Sequence, residues 1–297
     1  MTQFKRPEFV ITWGDHQLVL GKKTLIMGIV NVTPDSFSDG GDFYNTDAAV
    51  AQGLKLAADG ADILDIGGES TRPFADAVET DDEIARVVPV VEKLAAKVKV
   101  PISIDTSKAD VARAALEAGA SIVNDIGALR LDPELSKVAA QHDVPVILMH
   151  MLGTPRTMQK APVYDDVIGE IQAFLADAVD KAVKAGIDRA KIIVDPGIGF
   201  GKTITHNLRL FQHIEDFFDL DLPVLIGSSR KAFIRNILKA ELGYEVDAKS
   251  AEVETGTQAT VASAIFNGAH IVRVHNVKNT FITAKLMDAF LAGKFDS

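Results

Sequence analysis

Gly60-Ala-Asp-Ile-Leu-Asp65, Gly119-Ala-Ser-Ile-Val-Asn124 and Gly268-Ala-His-Ile-Val-Arg273 repeat one pattern at three distant places in the chain. Each enters a short apolar run through Gly-Ala and leaves it on a polar residue. Glycine suits the residue just past a helix, where a left-handed backbone is common. Three more segments enter through proline instead: Pro101-Ile-Ser-Ile-Asp105, Pro145-Val-Ile-Leu-Met149 and Pro223-Val-Leu-Ile-Gly227. Proline is tolerated as the first residue of a strand. The six segments therefore read as one architectural unit, a helix end followed by a buried strand.

Working outward, apolar runs alternate with Ala-rich helical stretches from Thr24 almost to the C-terminus. That alternation predicts βα units and a parallel sheet. Strands are expected over 25–30, 63–66, 102–105, 122–125, 146–150, 192–195, 224–227 and 271–275, eight in all. Helices are expected near 47–59, 81–97, 109–118, 133–141, 165–185, 207–218, either 231–241 or 256–267, and 279–291. Residues 9–20 alternate around Gly14-Asp15 and predict a β-hairpin that closes the N-terminal end. The fold class is α/β, a single (β/α)8 TIM barrel with an N-terminal hairpin, one domain over 1–297 with its core at about 24–291. A doubly wound open sheet is the runner-up. It fits less well, because only a barrel gathers every strand's C-terminal end around one mouth, and nearly every strand here ends in polar residues.

Composition agrees with that reading. The chain has 297 residues, 47% of them hydrophobic but only 6% aromatic, so its core must be aliphatic, as buried parallel strands require. The absence of cysteine excludes a disulfide framework, thiolate metal sites and a cysteine nucleophile. The opening MTQFKRPEFV lacks the apolar segment of a signal peptide, and no run approaches a membrane span. A cytoplasmic protein with no membrane partner is expected. A net charge of −10 argues against a nucleic-acid surface, while a few focused cations can still attract a small anion.

The strand ends read Asn31, Asp65, Asp105, Asn124-Asp125, Met149-His150, Asp195, Ser228-Ser229-Arg230-Lys231 and Arg273-Val-His275. Any single one can be a helix cap, and Ser107 with Asp110 three residues on is expected to be only that. Caps explain neither Lys231 nor the Arg273/His275 pair, whose spacing of two places both on one face of a strand. Gly197-Ile-Gly-Phe-Gly201-Lys-Thr203 resembles a phosphate loop, but Pro196 breaks the pattern, and a flexible strand-to-helix turn is expected instead. Gly227-Ser-Ser-Arg-Lys lacks the closing glycine of a nucleophile elbow. The seven histidines have no zinc-ligand spacing, and His142, His206 and His213 are expected at the surface. Two long loops follow the first two strands, Val32-Thr-Pro-Asp-Ser-Phe-Ser-Asp-Gly-Gly41 and Gly67-Gly-Glu-Ser-Thr-Arg-Pro73. Long loops at a barrel mouth favour function, and an Arg among hydroxyls suits a phosphate group.

Asn31-Val-Thr-Pro-Asp-Ser-Phe-Ser-Asp-Gly-Gly41, Gly67-Gly-Glu-Ser-Thr-Arg-Pro73, Asp195-Pro-Gly-Ile-Gly-Phe200, Ser229-Arg-Lys231 and Arg273-Val-His275 together resemble the motif set of the dihydropteroate synthase family. The resemblance runs in order from about Thr24 to Ala289. It implies a cytoplasmic folate-pathway transferase that joins 6-hydroxymethyl-7,8-dihydropterin pyrophosphate to 4-aminobenzoate, releasing pyrophosphate. It also implies Mg²⁺, a homodimer built through the final helices, and sulfonamides as mimics of the second substrate.

Residue by residue, the resemblance gives Asp105, Asn124, Asp195 and Lys231 to the pterin and Arg273 to its ring and pyrophosphate. Thr71, Arg72 and His275 complete the anion pocket, and Asn31 is the Mg²⁺ ligand. Phe37, Asp39, Thr71, Pro73, Phe200 and Ser229 frame the aminobenzoate, and the chemistry falls to Lys231, Arg273 and Asp105. These types suit a pterin edge: carboxylates accept from its amino and ring N–H groups, Asn donates and accepts, and Lys donates to its carbonyl. Substitution at the pterin methylene needs no protein nucleophile, since the departing pyrophosphate meets Mg²⁺ and cations. Two residues depart from the family: Phe74 stands where Gly is usual, and Asn276 where Asp is usual. A pterin-dependent methyltransferase of the same barrel type leaves Thr71, Arg72 and the Arg273/His275 pair unexplained. A non-catalytic pterin-binding paralogue is the reading from a different class.

Overall fold

A computed structural model describes residues 6–33, 42–70 and 77–293. A two-stranded antiparallel hairpin, β1 (Phe9–Trp13) and β2 (His16–Leu20), precedes eight parallel strands. These are β3 (Leu25–Asn31), β4 (Ile63–Gly67), β5 (Ile102–Asp105), β6 (Ile122–Asp125), β7 (Val146–Met149), β8 (Ile192–Asp195), β9 (Leu225–Ile226) and β10 (Ile271–Val274). Their order is β8-β7-β6-β5-β4-β3-β10-β9, and a parallel bridge from Val194 to Val224 joins β8 to the approach of β9. The ring thus closes into the expected barrel. Strand interiors such as Ile63, Leu64, Ile104, Ile122, Ile147 and Ile193 are fully buried, which is why these runs carry no polar alternation.

Nine α-helices lie among the described residues. They are α1 (Asp42–Ala58), α2 (Thr80–Ala95), α3 (Ala109–Glu117), α4 (Glu134–His142), α5 (Val167–Lys184), α6 (Ile204–Gln212), α7 (Ala232–Leu242), α8 (Ala251–Phe266) and α9 (Val277–Ala292). Three expectations are corrected here. The choice between 231–241 and 256–267 dissolves, because α7 and α8 both exist and both follow β9. The single helix expected at 207–218 is α6 followed by a separate 3-10 segment, Ile214–Leu220. The strand expected over 224–227 keeps only two ladder residues.

The hairpin lies at the N-terminal ends of the strands. Arg6 donates to Thr24 Oγ1 (2.7 Å) and to the Ala269 carbonyl (2.8 Å), immediately before β3 and β10. Asp288 of α9 takes the other end of this guanidinium at 2.8 Å and also accepts from the Thr24 amide. Ile11, Trp13, Leu18 and Leu20 are buried against the barrel, and β1 packs on the 3-10 turn that leads into β8. The hairpin is therefore a plug for the lower end, which leaves the opposite mouth for chemistry.

Arg6 is nearly sealed from solvent, so removing its carboxylate leaves a buried charge unpaired. Asp288→Ala is expected to lower stability by about 3 kcal/mol. Urea unfolding reads this directly, and an unchanged midpoint would mean that the network does not hold the plug.

Candidate active site

The strand register aligns Asn31, Gly67, Asp105 and Asn124 in one row, while Asp195 stands two residues beyond it. Asn31 pairs with Gly67, Gly67 with Asp105, Asp105 with Asn124, and Met149 with Asp195. At the centre lies Arg273, whose Nε donates to Asp65 Oδ2 (2.6 Å) and whose Nη2 donates to Asp105 Oδ2 (2.5 Å). Asn124 Nδ2 reaches both Asp65 oxygens at 3.2–3.3 Å. The three residues that end the Gly-Ala segments, Asp65, Asn124 and Arg273, thus meet inside the barrel from alternate strands β4, β6 and β10. Side chains in a barrel layer come from alternate strands, so equivalent positions of a repeated unit converge. Sequence reasoning listed Asp65 as a strand end without giving it a role. Its signal was the repeat itself, whose polar terminus it shares with Asn124 and Arg273.

A second cluster adjoins the first. Lys231 opens α7, and its Nζ stands 3.8 Å from the centroid of the Phe200 ring. Ser229 Oγ and His275 Nδ1 are 3.0 Å apart, and the His275 amide donates to the same hydroxyl. Arg273 within β10 joins the carboxylates, whereas His275, just past the end of β10, meets Ser229 in the segment after β9. Asn276 caps α9, accepting from the Asn279 amide at 3.1 Å, a task Asn performs as well as Asp.

Two local expectations change. Ser107 is not a cap; it donates to Asp125 Oδ1 at 2.6 Å, while Asp132 accepts the first amide of α3. The Gly197–Gly201 turn is held closely, not flexible. Its three glycines take left-handed φ of 73°, 82° and 66°. A Cβ at Gly197 would lie 1.9 Å from the His150 carbonyl, and one at Gly201 would lie 2.5 Å from the Leu152 Cβ. Glycine is required here for close approach, not for motion. Of the three histidines expected at the surface, His142 is exposed and His206 and His213 are half-buried.

Burial governs the charges. It pushes the Asp195 carboxyl up to about 6, against the opposing pull of the Gly197 amide and Lys231. Asp105 moves upward too, by burial, with Arg273 pulling it back and Asp65 adding to the rise. Lys231 is pulled down to about 7 by burial and by Arg273, with Asp195 resisting. Arg273 is held above its ordinary value, because Asp65 and Asp105 together outweigh its desolvation. Asp105 Oδ1 is buried and has no hydrogen-bond partner among the described residues. An acceptor in that state is poised for a donor from a ligand.

Phe37, Asp39, Thr71, Arg72, Pro73 and Phe74 lie outside the described residues. Asn31 ends β3, half-buried and next in register to Gly67. Among the described residues no group of three or more His, Asp or Glu side chains could hold a metal. A single amide oxygen suits only an ion that keeps waters and takes substrate oxygens, as Mg²⁺ does. The donor set fits such an ion.

A parallel barrel with buried carboxylates, a carboxamide and cations at its strand ends defines a binder of a small, flat, hydrogen-bonding molecule. The pterin-binding enzyme family matches residues 27–275. A Bacillus subtilis dihydropteroate synthase is 47% identical over 270 residues, covering 91% of this chain and 90% of its own. The Xanthomonas albilineans dihydropteroate synthase with 4-aminobenzoic acid superposes with a TM-score of 0.84 at 44% identity, over 93% of this chain and 96% of that one. The same enzyme in complex with 7,8-dihydropteroate gives 0.80 at 42% identity, over 92% and 96%. The chain belongs to the pterin-binding enzymes, in the branch formed by the dihydropteroate synthases.

Because Asp195 is held near 6 instead of its ordinary 3.8, the native protein keeps a proton there that the unfolded chain has released. This group's stabilisation is complete below pH 3.8 and is lost as the pH rises through 6. Asp195→Asn cannot titrate, so across that window it should gain on the wild type by on the order of 2 kcal/mol. Urea unfolding at several pH values checks this, and parallel stability profiles for the two proteins would contradict it.

Proposed function

We propose that the enzyme condenses 6-hydroxymethyl-7,8-dihydropterin pyrophosphate with 4-aminobenzoate to give 7,8-dihydropteroate and pyrophosphate. The observation that carries this reading is the buried set around Arg273, with Asp105 Oδ1 left unpaired and Asp195 and Lys231 beside it. The relatives named above support it, since one holds 4-aminobenzoic acid and the same enzyme also holds 7,8-dihydropteroate.

In this reading Asp105, Asn124, Asp195 and Lys231 form a floor that reads the pterin edge. Carboxylates accept from the amino and ring N–H groups, Asn124 both donates and accepts, and Lys231 donates to carbonyl and ring nitrogen. Arg273 lies beside the ring and, with His275, Thr71 and Arg72, faces the pyrophosphate. As the aminobenzoate nitrogen bonds to the pterin methylene carbon, the carbon–oxygen bond to pyrophosphate breaks and the amine gives up a proton. No side chain attacks, so no covalent enzyme intermediate forms. Phe200 and Ser229, with Phe37, Asp39, Thr71 and Pro73, frame the aminobenzoate and keep water from the electrophilic carbon. Asn31 would hold Mg²⁺, which supplies charge for the departing pyrophosphate.

We also infer a homodimer. Ile282, Leu286 and Phe290 recur every four residues along α9 and are 54–71% exposed, with Phe266 of α8 exposed as well. Such an apolar stripe on a helix surface favours a partner. Ile282→Asp with Leu286→Asp is expected to halve the mass in sedimentation equilibrium; a wild type already monomeric at micromolar concentration would remove the dimer.

With both substrates and Mg²⁺ the protein should release pyrophosphate. Pterin binding without release at any Mg²⁺ concentration would favour a non-catalytic paralogue. Lys231→Ala removes a charged donor and should weaken dihydropterin pyrophosphate binding by about tenfold or more. Wild-type affinity in that variant would refute the floor.

A further inference from the structure

The turn Gly197–Gly201 has each of its last three carbonyls taken by a separate side chain. Gln159 Nε2 donates to Gly199 O (2.6 Å), Lys202 Nζ to Phe200 O (2.9 Å), and the Tyr164 hydroxyl to Gly201 O (2.9 Å). Lys202 is the charged donor among them and is only 4% exposed. Its second contact is His150 Nδ1 at 3.0 Å. Where Nζ donates to both partners, Nδ1 accepts and the imidazole is neutral with its proton on Nε2; burial also pulls the Lys202 ammonium down, to about 7. Burial agrees, pushing His150 down to about 2. A methionine could fill the same space without the desolvation cost of a buried ammonium. The charge therefore calls for a use that packing does not supply.

That use is visible two residues back, at Phe200. Phe200 lies between two left-handed glycines, and its own amide donates to the Gly197 carbonyl, so its carbonyl is the backbone group a side chain can hold. Phe200 packs among Ile126, Met149, Met151 and Met158, with Lys231 above its ring. We propose that Lys202 is a positioning residue for the aromatic-amine side of the site, tying the Phe200 carbonyl to the His150 ring and so fixing the Phe200 ring beneath Lys231. The proposal rests on the synthase reading, in which Phe200 bounds the aminobenzoate. It concerns a residue that touches neither substrate and acts only through Phe200.

The test is a double-mutant cycle on the full chain with Lys202→Met, Phe200→Ala and the pair, read by steady-state kinetics and by direct binding of dihydropterin pyrophosphate. Lys202→Met should raise KM for 4-aminobenzoate roughly tenfold, as expected for one charge-assisted hydrogen bond. Pterin affinity should fall clearly less than KM rises, since both lost hydrogen bonds go to the Phe200 carbonyl and His150 and none to a floor residue, Lys202 acting on Asp195 only through its field. In the Phe200→Ala background the same substitution should add little, because coupled residues are not additive. Lys202→Arg, which keeps the cation and its donors, should restore most of the KM. An unchanged KM, an equal loss in both backgrounds, or a matching loss of pterin affinity would each overturn the proposal. Should Lys202→Met fail to fold in a thermal scan, Lys202→Gln carries the same cycle with the same criteria. A wild-type protein that releases no pyrophosphate would instead sink the synthase reading, before any variant is compared.

Discussion

A guanidinium held between two carboxylates inside a barrel is the constraint on which the rest of the mouth depends. Arg273 bonds Asp65 and Asp105 and pulls the Asp105 carboxyl back against the rise that burial imposes. Burial pulls Lys231 and Lys202 down to about 7 and pushes Asp195 up to about 6, so two amines and a third carboxyl lie beside this group at a cost in desolvation. Such a set costs stability, because desolvation of ions in an interior often exceeds their mutual attraction. The aliphatic barrel and its plugged lower end must offset that cost. At the opposite end the Arg6–Asp288 network joins Arg6 to α9.

Much of this was legible in the sequence, for physical reasons that differ by element. The strands announced themselves because buried parallel strands are continuous apolar runs with Gly or Pro at their entrances. Asp65, Asp105, Asn124 and Asp195 were all legible as polar ends of apolar strands, and the family resemblance gave roles to Asp105, Asn124, Asp195 and Lys231 but none to Asp65. The pairing of Asp65 with Arg273 across 208 residues follows from barrel closure, which the repeat hints at but does not state. Ser107 misled for the opposite reason: a local cap pattern was present, and a tertiary bond to Asp125 overrode it. The extent of β9 was also beyond reach, because Val224–Gly227 is as apolar as its neighbours.

The glycine turn shows how one residue type carries two opposite meanings. Read in sequence, Gly-Ile-Gly-Phe-Gly signals freedom. In the fold, Gly197 abuts the His150 carbonyl and Gly201 abuts Leu152, so the same residues record crowding. The distinction lies in what surrounds the backbone, which a sequence does not display. Asp195, Asn207, Gln159, Tyr164 and Lys202 all bond this backbone, and they come from two stretches of the chain, 159–164 and 195–207. Such convergence holds a turn more firmly than helix or ladder bonds alone, and it fixes the wall on which Lys231 leans.

The brevity of β9 follows from the same demand. β9 spans two residues where β4 spans five and β8 four, and beyond its end the chain places Lys231 over the Phe200 ring. The bonds given up are replaced locally: Ser228 Oγ meets Thr260, the Arg230 amide donates to Thr257, and the Lys231 amide donates to the Ser228 carbonyl. Arg230 takes a left-handed φ of 59°, an uncommon conformation for a residue with a side chain. Two of the replacement partners, Thr257 and Thr260, belong to α8, the second helix after β9. This accounts for the unit's extra helix in physical terms. A strand shortened to deliver a lysine needs donors and acceptors from outside the sheet, and α8 supplies them.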